Sequence, residues 1–203
     1  MTVLGWTLTG RDIPANCKGL RQHAVDLILS RSMLPSARAR ALAQIALART
    51  CDAFLPATPQ QPIEEWLALN WTKRHHDRLV TWLTAMRGSI QVSAQVTLTP
   101  PLTPDIPTAT WLRNRAGRRA ADVRHRRYVS SLLNDICVGI PVRATRQREL
   151  RDAIALDLLL PVDAAENVTH LLRSALTAAG KTGSVVGPLP IYGFTDLGGH
   201  DAR

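Results

Sequence analysis

Hydrophobic and polar residues alternate most clearly over residues 90–98, where even-numbered positions are apolar and odd-numbered positions are polar. Successive side chains of a β-strand point to opposite faces, so this pattern predicts a strand with one buried face. The glutamines of the segment are then expected in solvent. A one-faced strand is typical of an open antiparallel sheet that carries its helices on a single side.

Apolar residues recur elsewhere at the three-to-four-residue spacing of an amphipathic helix or in short strand-like runs. The helical spacing predicts four helices, over residues 37–51, 62–87, 108–137 and 168–179. The short runs predict strands at residues 2–8, at residues 153–160 and from Val185 onward, and a further strand is possible within residues 142–151. The type of the apolar segment 20–29 stays open.

The order of these elements indicates an α+β protein with two domains. From residue 89 the order is strand, helix, possible strand, strand, helix, strand, which is the order of a ferredoxin-like antiparallel sheet. Three prolines between residues 56 and 62 interrupt the chain before it. We therefore predict a small N-terminal α+β domain over residues 1–60. A ferredoxin-like domain with extended helices and a mobile tail is expected over residues 61–203.

The composition is that of a globular protein, with 203 residues and 45% hydrophobic residues. No apolar run approaches the ~18 residues of a membrane span, and Arg11 and Asp12 interrupt any signal-peptide core. The cysteines are three in number, far apart, and form no CxxC pair. They are interpreted as buried thiols in a reducing cytosol rather than as zinc ligands or a disulfide framework.

The positive charge is concentrated in one segment. The net charge is +9, and residues 111–151 contain eleven arginines against three acidic residues. Such a block indicates an acidic partner, which can be a protein face, a nucleic acid or an anionic lipid. A solvated helix face is the alternative interpretation. Aromatic residues, on which single-stranded nucleic acids stack, are sparse in this segment.

The sequence contains no recognised catalytic motif, neither a phosphate-binding glycine loop nor a nucleophile elbow nor a metalloprotease signature. His75 and His76 are neighbours, so on a helix they point about 100° apart and do not chelate a metal together. Asp157 lies on the opposite face of its predicted strand from the apolar even-numbered residues 154–160, where it could pair with an arginine. We expect no enzymatic activity, no cofactor and no metal site.

The C-terminal sequence from Gly187 to Phe194 resembles the Gly-Pro-Trp-Pro-Pro-Tyr-x-Phe ending of the gas vesicle protein F/L family. The positions that match are Gly187, Pro188, Pro190, Tyr192 and Phe194. Leu189 and Ile191 replace the tryptophan and one proline. The prolines and aromatic side chains suit a structural lock at the end of a strand.

Other segments follow the family order. Residues 79–96 resemble its leucine-rich helix, glycine and strand, and residues 111–115 resemble the start of its long basic helix. Residues 54–56 lie where the family has a Leu-Pro-Val-Arg-Phe-Gly stretch, but residues 57–60 replace the rest of that motif.

The resemblance implies an accessory or minor structural protein of gas vesicles, located in the cytoplasm and on the vesicle. Such proteins bind the small hydrophobic shell protein and other accessory proteins, which prevents premature aggregation. The expected contact residues are the arginines of the long helix: Arg113, Arg115, Arg118, Arg119, Arg126 and Arg127. Binding of nucleic acid by the same arginines is the alternative, and an enzyme on this fold ranks last.

Overall fold

The computed structural model describes residues 1–10, 13–58, 60–98 and 108–194, and the side chains of residues 108–119 lie outside that description. Two four-stranded antiparallel sheets and five α-helices make up the described part of the chain. The α+β prediction is therefore confirmed. The predicted tail after Phe194 lies outside the described residues.

The N-terminal sheet has the strand order β2-β3-β1-β4. Its strands are β1 (Thr2–Leu8), β2 (Cys17–Gln22), β3 (Val25–Ser30) and β4 (Phe54–Pro56). Helix α1 (Ala37–Thr50) connects β3 to β4, and it begins where the Ser36 hydroxyl accepts a hydrogen bond from the Ala39 N–H at 3.1 Å. The open segment 20–29 is thus a hairpin of β2 and β3.

The predicted helix over residues 62–87 is instead two helices, α2 (Glu65–Arg74) and α3 (His76–Ala85), which meet at His75. Both pack against β1 and β3. An unbroken helix of this length would span about 39 Å, whereas strands of six or seven residues span about 20–23 Å. The break lets each short helix bury its own apolar residues on the sheet, Ala68 in α2 and Leu83 in α3.

The C-terminal sheet has the ferredoxin-like order β6-β7-β5-β8, with antiparallel neighbours throughout. Its elements in chain order are β5 (Ser89–Thr97), α4 (Thr108–Cys137), β6 (Ala144–Glu149), β7 (Ala153–Pro161), a 3₁₀ turn (Val162–Ala164), α5 (Ala165–Ala178) and β8 (Gly183–Leu189). The even-numbered face of β5 and β7 packs against α4 and α5. Residue 180 ends the last helix in the left-handed conformation with φ 62°, which glycine adopts without strain.

The odd-numbered face of β5 is only partly in solvent, which contradicts the sequence-based expectation. Gln95 is exposed as predicted, but Gln91 is buried. The chain after β8 and the N-terminal half of the molecule cover this end of the face: Leu159 and Ile191 lie in one buried cluster with Trp6 and Trp82. A polar residue of an alternating strand is buried when another segment covers its face.

Both buried hydrophobic clusters contain residues from either side of residue 60. Helices α2 and α3 follow residue 60 yet pack on the N-terminal sheet. The domain boundary at residue 60 stays a prediction. None of the described helices combines the length and the apolar character that crossing a membrane requires.

Candidate functional site

A buried carboxylate organises the odd-numbered face of the C-terminal sheet. Asp157, in the middle of β7, is 1% exposed. Its Oδ1 accepts hydrogen bonds from the Ser93 hydroxyl at 2.6 Å and from Nε2 of Gln91 at 3.1 Å. Its Oδ2 accepts from Nη2 of Arg148 at 2.8 Å, which is also an ion pair. The predicted pairing of Asp157 with an arginine is confirmed, and its partner lies in β6.

The cluster around Asp157 binds the backbone of the C-terminal segment, which comprises residues 187–194. Oε1 of Gln91 accepts a hydrogen bond from the Gly193 N–H at 2.7 Å, and Nη1 of Arg146 donates to the Gly193 carbonyl at 2.7 Å. A Cβ atom at position 193 would lie 2.9 Å from Asp157 Oδ2. This close approach requires glycine at that position. Sequence reasoning missed Gly193 because the family motif leaves its position variable.

The same segment is also bonded to the N-terminal half. The Tyr192 hydroxyl donates to Oε1 of Gln44 in α1 at 2.7 Å. Nε2 of Gln44 donates to the carbonyls of Leu4 and Ala57 at 2.8 and 2.7 Å. Burial raises the pKa of Tyr192 to about 12, so its hydroxyl keeps its proton at neutral pH. Tyr192 is therefore a hydrogen-bond donor that joins residues 187–194 to helix α1, whose Gln44 is bonded in turn to Leu4 of β1.

The remaining motif residues lie in β8 or in the stretch that follows it. Gly187 and Pro188 lie in β8 and are joined by a cis peptide bond. Pro190 is buried, and the carbonyl of Phe194 accepts a hydrogen bond from the Trp82 indole at 3.0 Å. An open cavity of about 370 Å³ lies beside the segment, with Gln95, Ser184 and Val186 among its lining residues.

The arginines expected to bind partners fall into three groups: those in the first half of α4, the exposed Arg127, and Arg126, whose side chain is bonded within the fold. Arg113, Arg115, Arg118 and Arg119 lie in the first half of α4, where side chains are outside the described residues. Arg127 is exposed.

Arg126 is bonded within the fold. Its guanidinium donates to Asp122 at 3.2 Å and to the carbonyls of Leu150 and Arg151 at 3.0 and 2.7 Å. It therefore fastens α4 to the loop between β6 and β7. Its contacts resemble those of a structural residue more than those of a free surface charge.

A mixed basic and apolar surface surrounds the middle of α4. Arg124 and Arg127 are exposed there together with Val123 and Tyr128. Nζ of Lys181 lies 4.9 Å from the centre of the Tyr128 ring, within the range of a cation–π contact. Exposed apolar and cationic groups side by side suit a protein surface that has both apolar and acidic parts.

The described residues show no cluster of three or more histidine, cysteine or acidic side chains that could hold a metal ion. Cys17 and Cys51 are buried, Cys137 is half-buried, and none of the three forms a disulfide bond. Burial raises the pKa of the Cys17 and Cys137 thiols. The rings of His76 and His23 meet edge to face with their centres 5.5 Å apart, and the ring centres of His75 and Trp71 are 4.8 Å apart.

The sequence matches no protein-family model, and no curated protein matches it significantly. The structure of the chain does match solved structures. The crystal structure of gas vesicle protein GvpF from Microcystis aeruginosa matches with a TM-score of 0.74 at 10% identity, over 95% of this chain and 97% of that chain. GvpF from Anabaena sp. PCC7120 matches with a TM-score of 0.69 at 10% identity, over 93% and 92% of the two chains. The chain therefore has the fold of the gas vesicle protein GvpF along almost its whole length.

Proposed function

We propose that this protein is a gas vesicle accessory protein that binds the hydrophobic shell protein and other accessory proteins during vesicle assembly. The observation that carries the proposal is the fold shared with two GvpF structures over more than nine-tenths of the chain. The sequence motif of residues 187–194, which resembles the ending of the gas vesicle protein F/L family, supports it independently of the fold. In this role the protein acts by binding rather than by catalysis, in the cytoplasm and at the vesicle.

The surface around the middle of α4 is the proposed contact for partner proteins. Val123 and Tyr128 offer apolar area to a hydrophobic subunit, and Arg124 and Arg127 offer positive charge to its acidic groups. Covering apolar area on a subunit before it is built into the wall reduces its aggregation. The arginines of the first half of α4 extend the same helix and belong to the same proposal.

Co-purification with a gas vesicle shell protein tests the proposal. The two proteins are co-expressed, and retention of the shell protein is measured at low and moderate salt with a random DNA duplex as competitor. We expect retention despite the DNA. Absence of shell-protein retention, together with salt-sensitive retention of DNA, would overturn the proposal and identify the arginines as a nucleic-acid surface.

Matched charge reversals locate the contact. Arg124→Glu with Arg127→Glu changes two exposed arginines of α4, and the control Arg38→Glu with Arg49→Glu changes two exposed arginines of α1. Both pairs change the net charge equally. We expect loss of shell-protein retention only for the α4 pair, and an equal loss for both pairs would mean that net charge alone drives binding.

A further inference from the structure

The outer edge of the C-terminal sheet is exposed along β6. From residue 145 to residue 149 the strand is exposed, and in the described part of the chain no strand pairs with its outer side. Strand β4, at an edge of the N-terminal sheet, is buried along its whole length. These two edge strands therefore differ in exposure, and β6 is the exposed one.

The hydrogen bonds at the β6–β7 turn show which backbone groups face outward. The Leu150 N–H donates to the Ala153 carbonyl at 2.9 Å, so Leu150 and Ala153 form a hydrogen-bonded pair and the backbone groups of Leu150 point toward β7. In an antiparallel ladder, hydrogen-bonded and non-hydrogen-bonded pairs alternate along the strands. In this register the backbone N–H and C=O groups of Arg146 and Arg148 point toward β7. Thr145, Gln147 and Glu149 direct their N–H and C=O groups away from the sheet.

The side chains of β6 are held in place on both faces of the sheet. On one face, Arg148 is bonded to Asp157 and Arg146 to the Gly193 carbonyl. On the other face, Nε2 of Gln147 donates to the Ser130 hydroxyl of α4 at 2.8 Å. The strand therefore keeps its extended shape with β7 as its one described partner, which lowers the entropic cost of adding a strand on its outer side.

The charge around this edge selects the chemistry of a partner. Residues 143–151 contain four arginines and one glutamate. The Arg148 side chain is half exposed although one of its donors is bonded to Asp157. An added strand with carboxylates on one face lies within reach of these guanidinium groups. Charge on a sheet edge also protects against aggregation, and the experiment below separates the two roles.

We propose that β6 accepts an extended acidic segment of a partner protein as an additional strand of the C-terminal sheet. The backbone of the segment pairs with the outward groups of Thr145, Gln147 and Glu149, and its carboxylates face the arginines. The proposal deepens the function given above and rests on it for the identity of the partner. Strand addition itself is testable without that partner.

The probe is a synthetic peptide of about eight residues in which valine alternates with glutamate, and the control peptide carries lysine in place of glutamate. Binding is followed by amide hydrogen exchange of the whole protein. We expect the acidic peptide to slow exchange at Thr145, Gln147 and Glu149 by about tenfold or more at saturation, and the lysine peptide to leave it unchanged. Binding weakens as salt is raised, because the arginines contribute by charge.

Two variants isolate the backbone contribution. Gln147→Pro removes an outward N–H without removing a ladder hydrogen bond, and edge strands tolerate such a proline. Gln147→Val keeps that N–H and loses the same side-chain bond to Ser130. We expect peptide affinity to fall about tenfold for the proline variant and to stay within about twofold for the valine variant.

The peptide and the shell protein answer different questions. Strand addition would be overturned if the acidic peptide failed to bind the unmodified protein. It would also be overturned if the peptide protected amides elsewhere than on β6. Failure of the shell protein to co-purify, with the peptide docked on β6, would contradict the proposed function and leave strand addition intact.

Discussion

The two sheets have the same strand order but use a matching aspartate differently. Asp26 lies in β3, the third strand of the N-terminal sheet in chain order, opposite Thr7 and Arg21. Asp157 lies in the third strand of the C-terminal sheet, opposite Ser93 and Arg146. Both carboxylates are buried.

The surroundings of these two carboxylates differ. Asp26 lies 3.6 Å from Nε of Arg21, whose side chain is two-thirds exposed. Asp157 accepts hydrogen bonds at 2.6 to 3.1 Å from two neighbouring strands, and its donor Gln91 also holds the C-terminal segment. The comparison teaches that a shared backbone layout does not settle a residue's role. The segment that covers the face does.

The largest expected effect follows removal of the better-bonded carboxylate. Asp157→Ala leaves the buried donor Gln91, the half-buried donor Ser93 and the ion-pair partner Arg148 without their acceptor. We expect the free energy of unfolding to fall by about 3 kcal/mol, at the lower end for a buried pair because Arg148 is half exposed. Urea denaturation measures the change. Asp26→Ala is the matched control, with an expected loss of about 1 kcal/mol. Equal losses at the two sites would refute the comparison.

A second prediction concerns the close approach of Gly193 to Asp157. Gly193→Ala places a Cβ atom against a carboxylate that its hydrogen bonds hold in place, and we expect a loss of about 2 kcal/mol in unfolding free energy. In the double variant with Asp157→Ala the 2.9 Å contact with Oδ2 is removed, so the loss is smaller than the sum of the two single losses. Simple additivity in this double-mutant cycle would show that the glycine has another role.

A third prediction concerns the bond between Tyr192 and Gln44. Tyr192→Phe removes the donated hydrogen bond and is expected to lower the unfolding free energy by about 1 kcal/mol. The folded-state pKa of about 12 lies above the ordinary tyrosine value. The unfolded chain therefore loses this proton first, and the contribution is fully present below about pH 10.

The same linkage sets the alkaline behaviour. As pH rises from about 10 towards 12, the unfolding free energy of the unmodified protein falls, because the unfolded state binds fewer protons. The phenylalanine variant lacks this tyrosine and loses less over the same range. Denaturation curves of both proteins across this range measure the difference. Identical slopes for the two proteins would contradict the assignment to Tyr192.

The smallest effect is expected at an exposed contact. Arg87 and Asp52 form an ion pair of 3.4 Å with both side chains about half exposed. Arg87→Gln is expected to change the unfolding free energy by less than about 0.5 kcal/mol, because water screens such pairs. Thermal denaturation at low and high salt measures it. A loss as large as that of Tyr192→Phe would show that exposed contacts hold the two sheets as strongly as the buried one.

Much of the local structure was predictable from the sequence. The alternation over residues 90–98 predicted β5, and the apolar spacing predicted α1, α4 and α5 nearly to their ends. The order of elements after residue 89 predicted the ferredoxin-like sheet, which the strand order confirms. These features depend on neighbours in the chain, whose spacing is directly visible in a sequence.

The candidate site was only partly predictable. The family motif identified Tyr192 and the prolines, and the position of Asp157 opposite the apolar face of its strand suggested an arginine partner. The motif did not indicate Gln44, which lies 148 residues from Tyr192, or Gln91, which lies 102 residues from Gly193. Pairs so far apart leave no periodic signal in the sequence.

The sequence by itself determined most of the helices and strands and the order of the C-terminal strands, because local periodicity and the order of elements along the chain indicate both. The tertiary structure alone decided the break at His75, the burial of Gln91, and the anchoring of Arg126 and of the C-terminal segment. In each case a distant segment covers or bonds the residue. Burial is a property of that packing, since the same polar side chain is in water on an open face and bonded beneath a covered one.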